Sequence, residues 1–154
     1  MKFKYLSLIA ILLMTVACSD DEEQLSYQEQ LAKDIELIDA YLDANGINAI
    51  EDASGLRYVI TKDSVSEQPQ ANDVVVVDYE GMLLSDGKVF DKGESIMFSL
   101  TGVISGFQIG LQKFSEGETG TLYIPSGLAY GTRGQGPIPA NANLIFDIKL
   151  IEVK

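Results

Sequence analysis

The sequence predicts an α+β domain: an antiparallel β-sheet half-barrel wrapped around one short helix, with an amphipathic helix ahead of it. Three observations carry that expectation. Apolar residues recur at helical spacing between residues 27 and 44. β-favouring runs with two-residue alternation dominate from residue 56 onward. One short helical stretch, Val103 to Phe114, interrupts those strands. At 154 residues the chain has room for one ordinary domain and a short appendage.

The first residues are not part of that fold. Lys2 and Lys4 precede an almost unbroken apolar stretch from Tyr5 to Val16, and Ala17 then precedes Cys18. This is the layout of an export signal, read as residues 1–17. About a dozen apolar residues are too few to span a bilayer, which takes roughly 20. The sole cysteine sits at the cleavage point, which resembles a bacterial lipoprotein signal, although Thr15 stands where that pattern prefers Leu. In such proteins the cysteine becomes the mature N-terminus and carries the lipid. The alternative is an ordinary cleaved signal with a chance cysteine. The lipoprotein reading is preferred, because an odd cysteine in an exported chain needs a role. Residues 18–25 then form an acidic tether. Its run Asp20-Asp21-Glu22-Glu23 reads either as a solvated spacer or as similar to the export tags of lipoproteins displayed on bacterial outer surfaces. The expected location is the cell envelope, as an outer-membrane lipoprotein on the periplasmic face or at the cell surface.

Composition excludes several chemistries. The chain has no histidine, no tryptophan and one cysteine, so Ser-His-Asp triads, Cys-His dyads and multi-cysteine metal sites are out of reach. No metal or organic cofactor is implied. The formal net charge is −12, and without Lys2 and Lys4 it falls to −14, 9 Lys and Arg against 23 Asp and Glu. Such a chain is repelled by phosphate backbones, so nucleic acid is not an expected partner. Attachment to anionic lipid by charge is disfavoured as well, leaving a covalent anchor at Cys18 as the route to a membrane.

Ser26-Tyr27-Gln28-Glu29 fits a helix-opening capping box, and Asn45-Gly46 a helix stop. Between them Leu31, Ile35, Ile38 and Leu42 form one apolar stripe, giving an N-terminal helix within residues 26–46. That stripe must be buried. It packs either on its own domain or against a second copy; two heptads are short for an independent coiled coil, which favours the first. Leu56 to Thr61 reads as a strand. Val74 to Leu84 reads as a longer one, with Val75, Val77 and Tyr79 on one face. Asp86-Gly87 between apolar flanks signals a hairpin. Thr119 to Ile124 and Leu144 to Val153 complete the set; in the last, Leu144, Phe146, Ile148 and Leu150 alternate with Asp147 and Lys149, giving one core face and one wet face.

Three blocks in order, VVVDYEGMLLSDGKVFD, GVISGFQIGL and IPSGLAYGTRGQGPIPANANLIFDIKL, resemble the FKBP-type peptidyl-prolyl cis-trans isomerase domain, here over residues 55–154. The resemblance implies an apolar pocket that grips the proline ring of a peptide. By matched position it implies Tyr79, Asp91 and Tyr130 as catalytic residues, the Tyr130 hydroxyl bonding the bound carbonyl. Phe90, Val103, Ile104, Phe107, Ile138 and Phe146 fall on its substrate-binding positions, Phe107 being the floor where the family often has Trp. Ile96 lies near another position that is usually aromatic. The segment after Asp91 is shorter than in well-known members and lacks an arginine that can partner this carboxylate, a place Lys92 is close to. Gln135 stands roughly where some members have a loop histidine. The partners implied are proline-containing polypeptides, with macrolides as candidate inhibitors, an affinity these departures put in doubt more than the activity.

Isomerisation suits a chain without imidazole. Rotation about X-Pro requires no base and no covalent step, only a grip on the ring and a preference for the twisted amide over both planar forms. Taken singly, each aromatic is better explained as core than as site; only the family pattern reverses that. Asp91 either polarises the site or orients it by accepting bonds from Tyr130 or nearby backbone, the second being preferred. The glycines around 131–136 lack the G-K-[ST] of a phosphate loop. The function expected is isomerisation of X-Pro bonds in exported proteins. The alternative is a proline-peptide-binding, chaperone-like lipoprotein with little catalysis; a lipoprotein whose fold only presents a surface is a third.

Overall fold

The computed structural model describes residues 25–154. The expected signal peptide, Cys18 and the acidic run lie outside these residues. Helix α1 spans Tyr27–Ala44 and opens on the expected capping box, with Glu29 N–H donating to Ser26 Oγ and Ser26 N–H to Glu29 Oε2. It closes at Asn45, followed by Gly46 at φ +64°.

Six strands follow: β1 (Ile50–Glu51), β2 (Arg57–Lys62), β3 (Val74–Leu83), β4 (Val89–Ser99), β5 (Thr119–Ile124) and β6 (Leu144–Val153). They form one antiparallel sheet in the order β1-β2-β5-β6-β3-β4. The hairpin at Asp86-Gly87 joins β3 to β4, closed by Gly87 N–H donating to Leu83 O at 2.9 Å. Two strands escape the sequence reading. β1 is only two residues long, and β4 lacks an alternating pattern because its pairing with β3 shifts register twice.

Helix α2 is shorter than expected, Ser105–Leu111 rather than Val103 to Phe114. Ile104 holds an extended backbone ahead of it (φ −59°, ψ 148°), and Phe114 turns down into the core beyond it. A helix written SGFQIGL has little intrinsic propensity. What its glycines supply is proximity: a Cβ on Gly106 would collide with Ile124 and one on Gly110 with Leu122, so α2 lies directly against β5. Phe107 and Leu111 thereby enter the main core with Val75, Val77, Leu122, Phe146 and Leu150.

The other face of the sheet is not uniformly wet. Asp147 and Lys149 are exposed as expected, but Ile145 and Tyr123, on the same side, are buried under α1. Ile38 and Leu42 of α1 meet them there, with Tyr41, Val59 and Met82 around the edge. The helix thus packs on its own domain. Arg57, almost fully buried, fixes its angle by a two-pronged contact with Asp39, 3.0 Å from Nε to Oδ1 and 3.2 Å from Nη2 to Oδ2.

Candidate active site

A cleft of about 120 Å³ opens on the inner face, beside the start of α2. Tyr79 reaches it from β3, Phe90, Asp91 and Phe98 from β4, and Phe146 from β6. Val103, Ile104 and Phe107 come from the approach to α2 and its first turn, and Tyr130 from the loop after β5. Phe107 is the buried floor. Its ring lies 5.2 Å from Phe146, 5.9 Å from Phe98 and 6.3 Å from Tyr79, all edge-to-face. Phe90 stands against Phe146 at 5.6 Å and 83°. Such T-shaped pairs fix ring orientation as well as burying area.

Room for these rings comes from Gly81. In the sheet it is flanked by Phe146 on β6 and Asp91 on β4. A Cβ there would sit 2.7 Å from Phe90 Cζ and 2.8 Å from Phe146 Cε1. The missing side chain is the space into which the two phenyl rings fold.

One polar pair faces the rings. The Tyr79 hydroxyl donates to Asp91 Oδ2 at 2.8 Å, and the Lys92 backbone N–H donates to Asp91 Oδ1 at 2.9 Å. Burial, then the hydrogen bond to and the charge of Asp91, push the Tyr79 hydroxyl up to about 12. It therefore stays a donor at neutral pH. Asp91 is thus oriented by a tyrosine, but by Tyr79 and not by Tyr130; Lys92 contributes its amide, and among the described residues no ion pair joins its ammonium to Asp91.

Two expected positions fall outside the residues that line the cleft. Ile138 is one of them. Gln135 and Ile138 exchange backbone bonds of 2.8 and 2.9 Å, and the resulting turn sends the Ile138 side chain into the main core, where it is 5% exposed. The aromatic contributed by β4 is Phe98, not a residue at Ile96. Ile96 is 37% exposed and lies where a Cβ on Gly93 would strike it, whereas Phe98, two residues on, packs edge-on to Tyr79 at 5.5 Å. The signal was the side-chain parity of β4, which makes 96 and 98 alternatives on one face.

A larger open groove, about 720 Å³, crosses the opposite side of the strands along Asp78, Glu80, Glu94, Asp147, Lys92 and Lys149. Its charged walls are unsuited to a proline ring, and the small aromatic cleft is the candidate site.

The sequence profile described as FKBP-type peptidyl-prolyl cis-trans isomerase matches residues 65–151. The chain belongs to this family. Its relatives include the probable FKBP-type peptidyl-prolyl cis-trans isomerase FkpA of Neisseria meningitidis, 43% identical over 144 residues, covering 82% of this chain and 53% of that protein. The FkpA of Escherichia coli is 36% identical over 142 residues, covering 90% and 48%. This FKBP-type chain spans about half the length of the curated relatives it matches. Among solved structures, a peptidyl-prolyl cis-trans isomerase of Pseudomonas syringae superposes with a TM-score of 0.72 at 32% identity, over 85% of this chain and 98% of that one. The Escherichia coli FkpA structure gives 0.70 at 35% identity, over 82% and 64%.

Proposed function

We propose that this chain catalyses cis-trans rotation of X-Pro bonds by holding the proline ring in the aromatic cleft. The single observation that carries the reading is an aromatic cage of four rings, Tyr79, Phe98, Phe107 and Phe146, with a hydroxyl and a carboxylate at one edge. Amide rotation faces a barrier of about 18–20 kcal/mol because resonance must be broken. Lowering it by about 5 kcal/mol gives an acceleration of a few thousand-fold.

Each group has a place in that task. Val103, Ile104 and Phe107 grip the ring, and Phe90 and Phe146 close the sides against water. A twisted amide is less polar than a planar one, so a water-free cleft favours the twisted form. The Tyr130 hydroxyl holds the substrate carbonyl. Asp91, steadied by Tyr79 and by its neighbour's amide, faces the turning bond with its geometry already set. Proline-containing polypeptides are the substrates this reading implies, and macrolides its candidate inhibitors. Residues 1–17 as an export signal and lipid on Cys18 would place the domain in the cell envelope. Mass spectrometry of the protein from a membrane fraction tests that: an unmodified Cys18 removes the anchor.

A protease-coupled proline isomerisation assay on the full chain, with Tyr130→Phe and Asp91→Ala alongside, tests the activity and its site. Acceleration that falls in both variants is expected. Acceleration that ignores both would keep the enzyme and discard these roles. A folded protein that binds proline peptides without turning them over would be the chaperone-like alternative.

A further inference from the structure

We propose that Asp34, on the N-terminal helix, is a positioning residue for the cleft: it pins the turn that delivers Tyr130, so the working catalytic unit begins at α1. The inference rests on the isomerase reading above. It concerns a residue outside the span matched by the family profile, which begins at residue 65.

Asp34 is a carboxyl group in the wrong place for a helix that only needs burying. It lies among Leu31, Ile35 and Ile38 on the apolar stripe and is fully buried. Its Oδ2 accepts from the Ser126 backbone N–H at 2.9 Å and from Ser126 Oγ at 2.6 Å; its Oδ1 accepts from Gln30 Nε2 at 2.7 Å. Asn143, just ahead of β6, closes the ring: its Oδ1 accepts from the same Ser126 N–H at 3.0 Å, and its Nδ2 donates to the Asp34 carbonyl at 3.2 Å. No buried side-chain polar atom among the described residues is left unpaired.

Ser126 opens the short 3₁₀ turn Ser126–Leu128, and Tyr130 follows two residues later. The turn is tied internally by Leu128 N–H to Pro125 O and Ala129 N–H to Ser126 O, both 3.0 Å. Tyr27 covers its far side, since a Cβ on Gly127 would meet the Tyr27 ring at 2.9 Å. α1 therefore holds the Tyr130 turn at two points. A leucine at residue 34 would seat the helix at no desolvation cost. What the carboxylate adds is direction: two donors on one residue are aimed at one oxygen, and placement errors of about 1 Å are enough to cost a site up to 100-fold.

Proline isomerisation by the full chain and amide hydrogen exchange, each on wild type and variants, test this together. Asp34→Ala removes the acceptor and is expected to lower kcat about tenfold, with KM nearly unchanged because the apolar grip survives. The Leu128–Tyr130 amides should exchange faster while those of Val75–Val77 on β3 keep wild-type rates. Asp34→Asn should retain both properties, since its Oδ1 can accept from Ser126 while the Gln30 amide turns to accept from its NH₂. Should Asp34→Ala fail to fold, Ser126→Ala deletes one of the two bonds and should show the same kcat effect at roughly threefold. A folded variant with wild-type kcat and wild-type exchange in the turn would overturn the proposal. If wild type itself gives no acceleration, the isomerase reading falls, and the exchange data alone decide whether Asp34 pins the turn.

Discussion

The two faces of the sheet are organised by different forces. The inner face is packed by rings around Phe107 and leaves a cleft; the back face is capped by α1, apolar at Ile38 and Leu42 but ionic or polar at Asp34 and Asp39. Each face carries a tyrosine pushed up to about 12, Tyr79 in the cleft and Tyr123 beneath α1, with burial the leading cause in both. They differ in what comes next: Tyr79 is held by a hydrogen bond to Asp91, Tyr123 by the proximity of Tyr41 and Asp147. The cleft thus keeps its polar pair at the edge of an open pocket, while the back face uses its polar groups to hold a helix in register.

The comparison breaks most sharply at Phe146, whose neighbour Ile145 faces the other way. Phe146 is 5% exposed and touches the rings of Tyr79, Phe90 and Phe107. Phe146→Ala should cost about 3–5 kcal/mol in urea unfolding. It should also abolish measurable isomerisation, while the α1 contacts keep their amide protection. Gly81→Ala is the next largest. Its Cβ must displace Phe90 or Phe146, costing about 1–3 kcal/mol. Calorimetric titration with a proline peptide should show affinity falling more than stability does; unchanged affinity would mean the rings are not the grip.

These residues also mark what a sequence can say. The inner face was legible because its residues recur as a linear pattern: the strands at 119–124 and 144–153 emerge at their observed limits, and Tyr79, Phe90, Asp91, Phe107, Tyr130 and Phe146 do meet in one cleft. Phe98 was missed although it shares one face of β4 with Ile96, two residues away, and the direction of Ile138 is decided by a paired turn that leaves no compositional trace. Asp34 went unread beside Leu31, Ile35 and Ile38, because its partners Ser126 and Asn143 lie 92 and 109 residues away. Only the fold joins them. The wet face expected of β6 was half right for the same reason, since α1 covers it at Ile145 and leaves it at Asp147.

Alkaline pH titrates both faces together. Because Tyr79 and Tyr123 ionise near 12 when folded and near 10 when unfolded, their contribution to stability is complete below pH 10 and is lost as pH rises through 12. Thermal midpoints followed from pH 9 to 12 should fall less steeply in Tyr79→Phe and in Tyr123→Phe than in wild type. A slope unchanged in one variant would show that its face has opened before the other. Ile38→Val sharpens the contrast on the back alone. It trims a fully buried side chain and should cost about 0.5–1.5 kcal/mol. Activity per folded molecule should stay at the wild-type level, since the carboxylate at residue 34 keeps its hold.

The smallest effect lies where the two regions are stitched together. Asp52, in the turn between β1 and β2, meets Lys113, just past α2, at 2.7 Å; it also accepts from the Ser54 hydroxyl and amide. The hydrogen bond from Lys113, and then those from Ser54, hold Asp52 down to about 2, and the same bond raises Lys113. A depressed carboxyl stabilises the fold above its unfolded value of 3.8, and that contribution disappears as pH falls through 2. Asp52→Asn should therefore lie slightly below wild type at pH 6, lose less between pH 4 and 2, and meet it at the acid end. The difference stays small because Lys113 is a third exposed and salt screens the pair. Thermal midpoints at low and high salt separate the two contributions: the Lys113 part shrinks with salt, while the Ser54 bonds, which are local to the turn, remain.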